Sequence, residues 1–321
     1  MNSMEKNKKI FAPTDEAISK AAEIIKSGGL VAFPTETVYG LGANALDETA
    51  VKKIFEAKGR PADNPLILHV TNKFEASSYA VLNNTAESLM ERFWPGPLTI
   101  VLYSLLNVPL CARGGLDTVA LRSPKNPIAL RLIEMSGIPL AAPSANRSGR
   151  PSPTTALEVW DDLGTSVDMI LDGGSTEIGV ESTVIDATNG KVSILRPGGV
   201  TREILETITK VVPDEGANSR RSPGTRHRHY APSVEIRLWE CEERTFFQNA
   251  EKWCYVGIRI PPDGSMKNII FDTPRDYARG LFSALRELEG CGASVIIADL
   301  PDGAGLGEAI RNRLLHAAGR V

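Results

Sequence analysis

The run Phe33-Pro34-Thr35-Glu36-Thr37-Val38-Tyr39-Gly40-Leu41-Gly42 brings two threonine hydroxyls, an aromatic ring and two glycines together just after an apolar segment, Gly29-Leu30-Val31-Ala32. Lys58-Gly59-Arg60-Pro61 and Asn64-Pro65-Leu66 follow on the next turn. Hydroxyls orient a ligand, a lysine supplies a point charge, and an arginine supplies a planar fork for phosphate oxygens or a carboxylate. The set suits a small, polar, anionic ligand. Cations at a predicted helix end also favour the helix dipole, which alone explains most such residues. Gly59 and Pro61 constrain the backbone around Lys58 and Arg60 more than solvated surface charge requires.

Further segments repeat the theme at predicted strand ends. Pro143-Ser144-Ala145-Asn146-Arg147-Ser148-Gly149 follows a short apolar strand. It reads equally as an ordinary turn or as a polar loop at a strand's carboxyl end, where open α/β sheets bind ligands. Arg113 and Arg122 flank the strand Thr118 to Leu121, although cations at strand ends are often only a solvated edge. Glu181-Ser182-Thr183 opens another strand, and Arg196-Pro197-Gly198 closes the last of that half. His69 alternates with Leu68 and Val70, a position that core histidines also fill. No acid-base dyad stands out. Together the residues point to positioning and charge neutralisation of a phosphate-bearing substrate.

Several other chemistries lack their residues. There is no GxxxxGK[ST] loop, no HExxH, no paired Cys/His ligand set and no GxSxG elbow. Gly303-Ala304-Gly305-Leu306-Gly307 lacks the last glycine of a dinucleotide fingerprint. A nucleotide bound here would need another cradle.

The elements that must position these residues alternate early and become strand-rich later. Thr14 caps a helix in which Ala17, Ile18, Ala21, Ala22, Ile24 and Ile25 recur at helical spacing, ending at Gly28. Leu30 to Phe33 is a buried strand, and Ala50 to Ala57 a helix stopped at Gly59. Strands are expected at Leu66 to Val70, Leu98 to Tyr103, Thr118 to Leu121 and Pro139 to Ala142, with a helix from Asn126 to Met135. Met169 to Leu171, Thr183 to Ile185 and Val192 to Leu195 complete a twisted mixed α/β sheet with packed helices. The aperiodic, then basic and proline-bounded stretch 213–232 reads as a linker. Beyond it, four strands and two amphipathic helices (Asp276 to Leu288, Leu306 to Ala317) predict a smaller C-terminal α/β, Rossmann-like domain. The expected units are therefore 10–212, 213–232 and 233–321.

The chain has 321 residues, two domains' worth of length, with a net charge of -3. That balance argues against coating nucleic acid through bulk charge. Cys111, Cys241, Cys254 and Cys291 lack metal or disulfide-framework spacing, which fits a reducing, cytoplasmic setting. No apolar run is long enough to span a bilayer, and the lysine-rich start does not read as a signal peptide.

Taken together, the motifs of residues 27–199 resemble the threonylcarbamoyl-AMP synthase family, the YrdC-like family. The resemblance rests on Pro34 to Gly42, Lys58-Gly59-Arg60, Ser144-Ala145-Asn146, Glu181-Ser182-Thr183-Val184 and Arg196-Pro197-Gly198. Ser222-Pro223-Gly224, His229-Tyr230-Ala231-Pro232 and the domain after them are similar to the two-domain form, although Thr225, Arg226 and His227 depart from its linker pattern. The resemblance implies synthesis of threonylcarbamoyl-AMP and pyrophosphate from L-threonine, bicarbonate or CO2, and ATP. The product serves modification of the adenosine beside a tRNA anticodon, with partner proteins completing the transfer. It implies Lys58 and Arg60 as catalytic charge neutralisers. ATP would meet Lys58, Arg60, Asn64, Thr118, Ser144, Asn146, Ser152, Arg196 and Tyr230. Threonine would meet Thr35, Thr37, His69, Arg122 and Ser182, with Arg122 on its carboxylate. Mg2+ would be held mainly by the ATP phosphates, with no dedicated protein ligands. Neither a membrane nor stable nucleic-acid binding is expected.

The linker is either a solvated tether or a lid in which Tyr230, Arg226 and Arg228 shield the reactive anhydride from water. Two rival functions differ in class. A non-catalytic RNA-binding module would need interleaved basic and aromatic residues. Carbamoyl transfer in hydrogenase maturation would call for a zinc-finger module, and the cysteine clusters for one are missing.

Overall fold

The computed structural model describes residues 9–213, 221–222, 230–240 and 252–320. Arg226 and Arg228, candidates for a lid, lie outside the described residues. Eleven strands form the larger sheet: β1 (Ile10–Phe11), β2 (Val31–Phe33), β3 (Gly40–Asn44), β4 (Ile67–His69), β5 (Leu98–Tyr103), β6 (Thr118–Arg122), β7 (Leu140–Ala141), β8 (Met169–Leu171), β9 (Thr183–Asp186), β10 (Val192–Arg196) and β11 (Val211–Val212). Their order is β1-β8-β2-β3-β7-β4-β6-β5-β9-β10-β11, with parallel and antiparallel neighbours mixed.

Local chemistry explains the helices on this sheet. Thr14 accepts a hydrogen bond from the Ala17 amide and starts the helix Asp15–Lys26. Its buried face (Ala17, Ile18, Ala21, Ala22, Ile25) shares a core with Ala129, Leu132 and Ile133 of the helix Pro127–Ser136. Asp47 caps the helix Glu48–Lys58, which ends at Gly59 in the left-handed region (φ 61°). That ending turns Lys58 inward. Its side chain is buried with Ala50, Val51, Ile54 and Phe55 rather than solvated.

The structure adds β3 to the elements expected from sequence. The glycine-rich end of the Thr-Glu-Thr run turns back and pairs antiparallel with β2, Phe33 opposite Gly40. Parallel pairing of β4 with β6 sets His69 directly beside Arg122. The sheet register therefore brings together two residues that are far apart in sequence.

The smaller sheet is β12 (Glu235–Trp239), β13 (Trp253–Gly257), β14 (Asn268–Ile270) and β15 (Val295–Asp299), all parallel in the order β12-β15-β13-β14. It is the expected α/β unit. Its order differs from a dinucleotide-binding half, however, because its last strand separates the first from the second. The helices Pro274–Glu289 and Leu306–Ala317 cover one face of this sheet. Their core continues into Val38, Val180 and Tyr230, so they form a layer between the sheets. Cys254 and Cys291 also meet there, with Cα atoms 7.8 Å apart. That is wider than the usual disulfide span, although the two sulfurs are paired as a disulfide.

Candidate active site

One closely lined pocket collects most of the residues singled out by sequence. Thr35, Thr37, Arg60, His69, Arg122, Ser144, Asn146, Ser182, Arg196 and Tyr230 all line it, with Tyr39 and Glu181. The pocket is partly open to solvent.

Thr35 and Thr37 occupy the turn between β2 and β3. The Thr35 hydroxyl donates to the Val38 carbonyl at 2.7 Å and lies 2.8 Å from the Thr37 hydroxyl. A hydroxyl has one proton, so Thr37 is the donor to Thr35. The Thr37 oxygen then keeps its lone pairs for a ligand donor. Between them, Glu36 turns away and pairs with Arg122 at 2.6 Å, both side chains at most 4% exposed. Its other oxygen accepts from the Lys125 amide at 2.9 Å. Arg122 is thus fixed in orientation while still lining the pocket.

His69 is held beside Arg122, its Nδ1 3.3 Å from the Ile67 carbonyl and its ring edge-on to Phe33. Burial, then the Arg122 charge, pushes its pKa down to about 3. His69 is therefore a neutral, apolar-faced wall that can accept or donate one hydrogen bond, not a cation.

Lys58 sits behind the pocket lining. Its Nζ donates to the Ser144 and Asn146 carbonyls and lies 3.5 Å from the Asn146 Oδ1. Burial, then the neighbouring Arg60 charge, pushes its pKa well below the usual lysine range. The three oxygens oppose that by favouring the ammonium. An arriving anion would add to them. The hydroxyl of Ser144 donates to the Asn146 Oδ1, and the Asn146 amide donates to the Arg147 and Arg150 carbonyls. The loop that looks like an ordinary turn in the sequence is therefore a lysine socket.

On the opposite wall, Arg196 grips the Ser182 carbonyl through Nε and Nη2, at 3.2 and 2.9 Å, and its hydroxyl at 3.2 Å. Thr99 meets that same hydroxyl at 2.8 Å. A Cβ on Gly198 would lie 2.3 Å from the Glu181 carbonyl, so only glycine lets the two segments close this tightly. Glu181 accepts from the Ser152 hydroxyl at 2.5 Å and from Arg313 at 2.7 Å. Burial would raise its pKa, but the charges of Arg313 and Arg196 outweigh that and hold it below the usual carboxylate range.

Four candidates stand apart from the lining. Lys58 acts from behind it, as described. Ser152 reaches it through Glu181. Asn64 is fully buried beside the lining residue Pro65. Thr118 begins β6 and Arg122 ends it, so the two are separated by ~13 Å of strand. Glu36, Glu181 and Arg313 have structural roles at the site that spacing alone does not reveal. Their partners lie 86 residues from Glu36 and 132 from Glu181.

Tyr230 closes the remaining side. It has φ 64°, the single positive value outside glycine among the described residues. Its ring stacks on Phe282 at 5.4 Å, and the Ala231 amide donates to the Gly149 carbonyl at 2.8 Å. The described end of the linker is thus built into the pocket wall.

Comparison with known proteins shows the family. A Sua5/YciO/YrdC family model described as "Telomere recombination" matches residues 23–198. One described as "Threonylcarbamoyl-AMP synthase, C-terminal domain" matches residues 200–319. A threonylcarbamoyl-AMP synthase of Pyrococcus abyssi is 47% identical over 93% of each chain. That of Bacillus subtilis is 41% identical over 96% of this chain and 95% of its own. The crystal structure of P. abyssi Sua5 complexed with L-threonine is similar at a TM-score of 0.88 and 44% identity, over 97% of each chain.

Proposed function

The chain belongs to the threonylcarbamoyl-AMP synthase family, and from that premise we propose that its pocket joins L-threonine, bicarbonate or CO2, and ATP into threonylcarbamoyl-AMP and pyrophosphate. The threonine amine adds to CO2 and loses a proton, giving a carbamate. A carbamate oxygen then attacks the α-phosphorus in line, and the bond to pyrophosphate breaks. Both reactants are anions, so the site's main task is to bring them together against repulsion.

The cations do this from two directions. Arg122, braced by Glu36, pairs with the threonine carboxylate, while Thr35, Thr37, His69 and Ser182 surround the rest of the amino acid. The open lone pairs of Thr37 suit a hydroxyl or amine donor. Lys58, Arg60 and Arg196 neutralise phosphate charge. Asn64, Thr118, Ser144, Asn146, Ser152 and Tyr230 place the nucleotide, with Thr118 acting at the far end of β6. Mg2+ brought with the ATP would supply further neutralisation of phosphate charge, beside Lys58, Arg60 and Arg196. Among the described residues no cluster of three or more His, Cys, Asp or Glu could cage a metal ion. Tyr230, at the described end of the linker, excludes water from the mixed anhydride.

The product would pass to proteins that transfer threonylcarbamoyl to tRNA in the cytoplasm. Among the described residues no helix is long and apolar enough to cross a membrane.

The observation that carries this reading is the convergence of Arg60, Arg122 and Arg196 on one pocket with the Thr35, Thr37 and Ser182 hydroxyls. The test is pyrophosphate release from ATP with Mg2+ and bicarbonate, with and without L-threonine. Threonine-dependent release with threonylcarbamoyl-AMP detected by mass spectrometry is the expected result. A folded sample with no turnover that binds RNA in a salt-sensitive way would overturn it.

A further inference from the structure

The second domain sends one charged side chain into the wall of the site. Arg313 belongs to the helix Leu306–Ala317, yet its side chain is 0% exposed. Its Nε donates to Glu181 at 2.7 Å and its Nη1 to the Pro197 carbonyl at 2.9 Å. Its guanidinium carbon lies 5.4 Å from the centre of the Tyr230 ring. Three separate pocket segments therefore meet on one arginine: the start of β9, the end of β10 and the described end of the linker.

Packing does not require an arginine here. Burying a guanidinium is costly before its partners are counted, and among the described residues its Nη2 has no hydrogen-bond partner. An apolar side chain would fill the helix interface without that penalty, as Ile310 and Leu314 do on the same helix. What the arginine adds is direction. It fixes the Glu181 carboxylate that holds the Ser152 hydroxyl, and it ties down the carbonyl next to Arg196.

We propose that Arg313 is a positioning residue for the nucleotide half of the site, contributed by the C-terminal domain through Glu181, Pro197 and Tyr230. This rests on the assignment of Arg196, Ser152 and Tyr230 to ATP given above. On that assignment the residues next to the groups Arg313 holds, Ser152, Arg196 and Tyr230, are on the nucleotide side, whereas Arg122 on the threonine side is braced by Glu36 instead. The two substrates should therefore respond differently to its loss.

The experiment compares Arg313→Met, Arg313→Lys and Arg202→Ala in the full chain. Arg202 pairs with Glu308 at the same domain interface, away from the pocket. Binding of an α,β-methylene ATP analogue and of L-threonine is measured by calorimetry, alongside KM and kcat. For Arg313→Met the expected result is at least about tenfold weaker analogue binding and higher KM for ATP, with threonine affinity changed less than about threefold. Arg313→Lys keeps the charge but cannot hold both acceptors as a fork, so it recovers part of the loss. Arg202→Ala leaves both affinities unchanged. Equal weakening of both substrates, or a lower melting temperature with unchanged analogue affinity, overturns the proposal. If Arg313→Met does not fold, unchanged analogue binding by Arg313→Lys overturns it as well. Failure of the proposed reaction is separately visible, because the unaltered chain would then bind the analogue without making threonylcarbamoyl-AMP.

Discussion

The pocket on the large sheet and the carboxyl edge of the small sheet hold similar residue types and arrange them in opposite ways. At the small sheet's edge Asp299 accepts from the Ile258 and Arg259 amides and from the Arg259 guanidinium. That guanidinium lies 4.0 Å over the Trp239 ring, and Tyr277 donates to the Asp299 carbonyl. The crevice where parallel sheets commonly take ligands is occupied by the domain's own arginine. In the pocket, by contrast, Lys58 rests on the Ser144 and Asn146 carbonyls and the Asn146 amide oxygen. A cation held by a carboxylate is neutralised locally, whereas one held by carbonyls still presents net charge to an anion. The group that holds the cation, more than the residue type, distinguishes the two places.

The sharpest way to break that comparison is at Lys58. Lys58→Ala should lower pyrophosphate release by ~100-fold or more, the scale of losing one preorganised charge-stabilising donor, and the carbonyls it leaves unpaired should cost ~1–3 kcal/mol of stability. Retained release would mean that a carbonyl-held cation is not functional here. Arg122→Ala tests the mixed case, a cation paired with a carboxylate yet lining the pocket. It should destabilise the fold by ~3–5 kcal/mol in urea denaturation, because Glu36 is left as a buried charge. The double change Arg122→Met with Glu36→Gln should restore much of that stability without restoring threonine binding.

His69 gives a smaller, pH-dependent effect. Its folded pKa of about 3 lies below the ordinary histidine value near 6.5. The unfolded chain therefore takes up a proton between those limits and the folded chain does not. Stability is full above about pH 6.5 and falls as pH drops towards 3, by at most about 1.4 kcal/mol per pH unit. His69→Asn should flatten that slope in urea titrations at successive pH values; an unchanged slope would mean His69 is not the group responsible. Arg259→Met should have the smallest effect, about 1 kcal/mol of stability and no change in turnover. A large loss of turnover would show that the small sheet's edge takes part in the chemistry.

Local features of the molecule are legible in the sequence. Thr14 marks a helix start, Gly59 a helix end, and the Thr35 and Ser144 runs the loops that line the pocket. The antiparallel β3 is not, because Gly40-Leu41-Gly42-Ala43 has no alternation of apolar and polar side chains from which a strand can be read. The buried pairs Glu36–Arg122 and Glu181–Arg313 are not legible either. Sheet register and domain packing create them across 86 and 132 residues, and no local spacing encodes either. Lys58 stands out in the sequence as unusual, but its socket of carbonyls belongs to a loop whose backbone no residue type predicts.

The apolar layer shared by Val38, Val180, Tyr230 and the helices Pro274–Glu289 and Leu306–Ala317 also bears on how the molecule comes apart. Neither half can melt without exposing the other's interior, so heat should unfold the whole chain in one calorimetric transition, its measured enthalpy equal to the van't Hoff value. A chain of two sheets would then behave as a single cooperative unit, and damage at the far end of the C-terminal helix would register at the wall of the pocket.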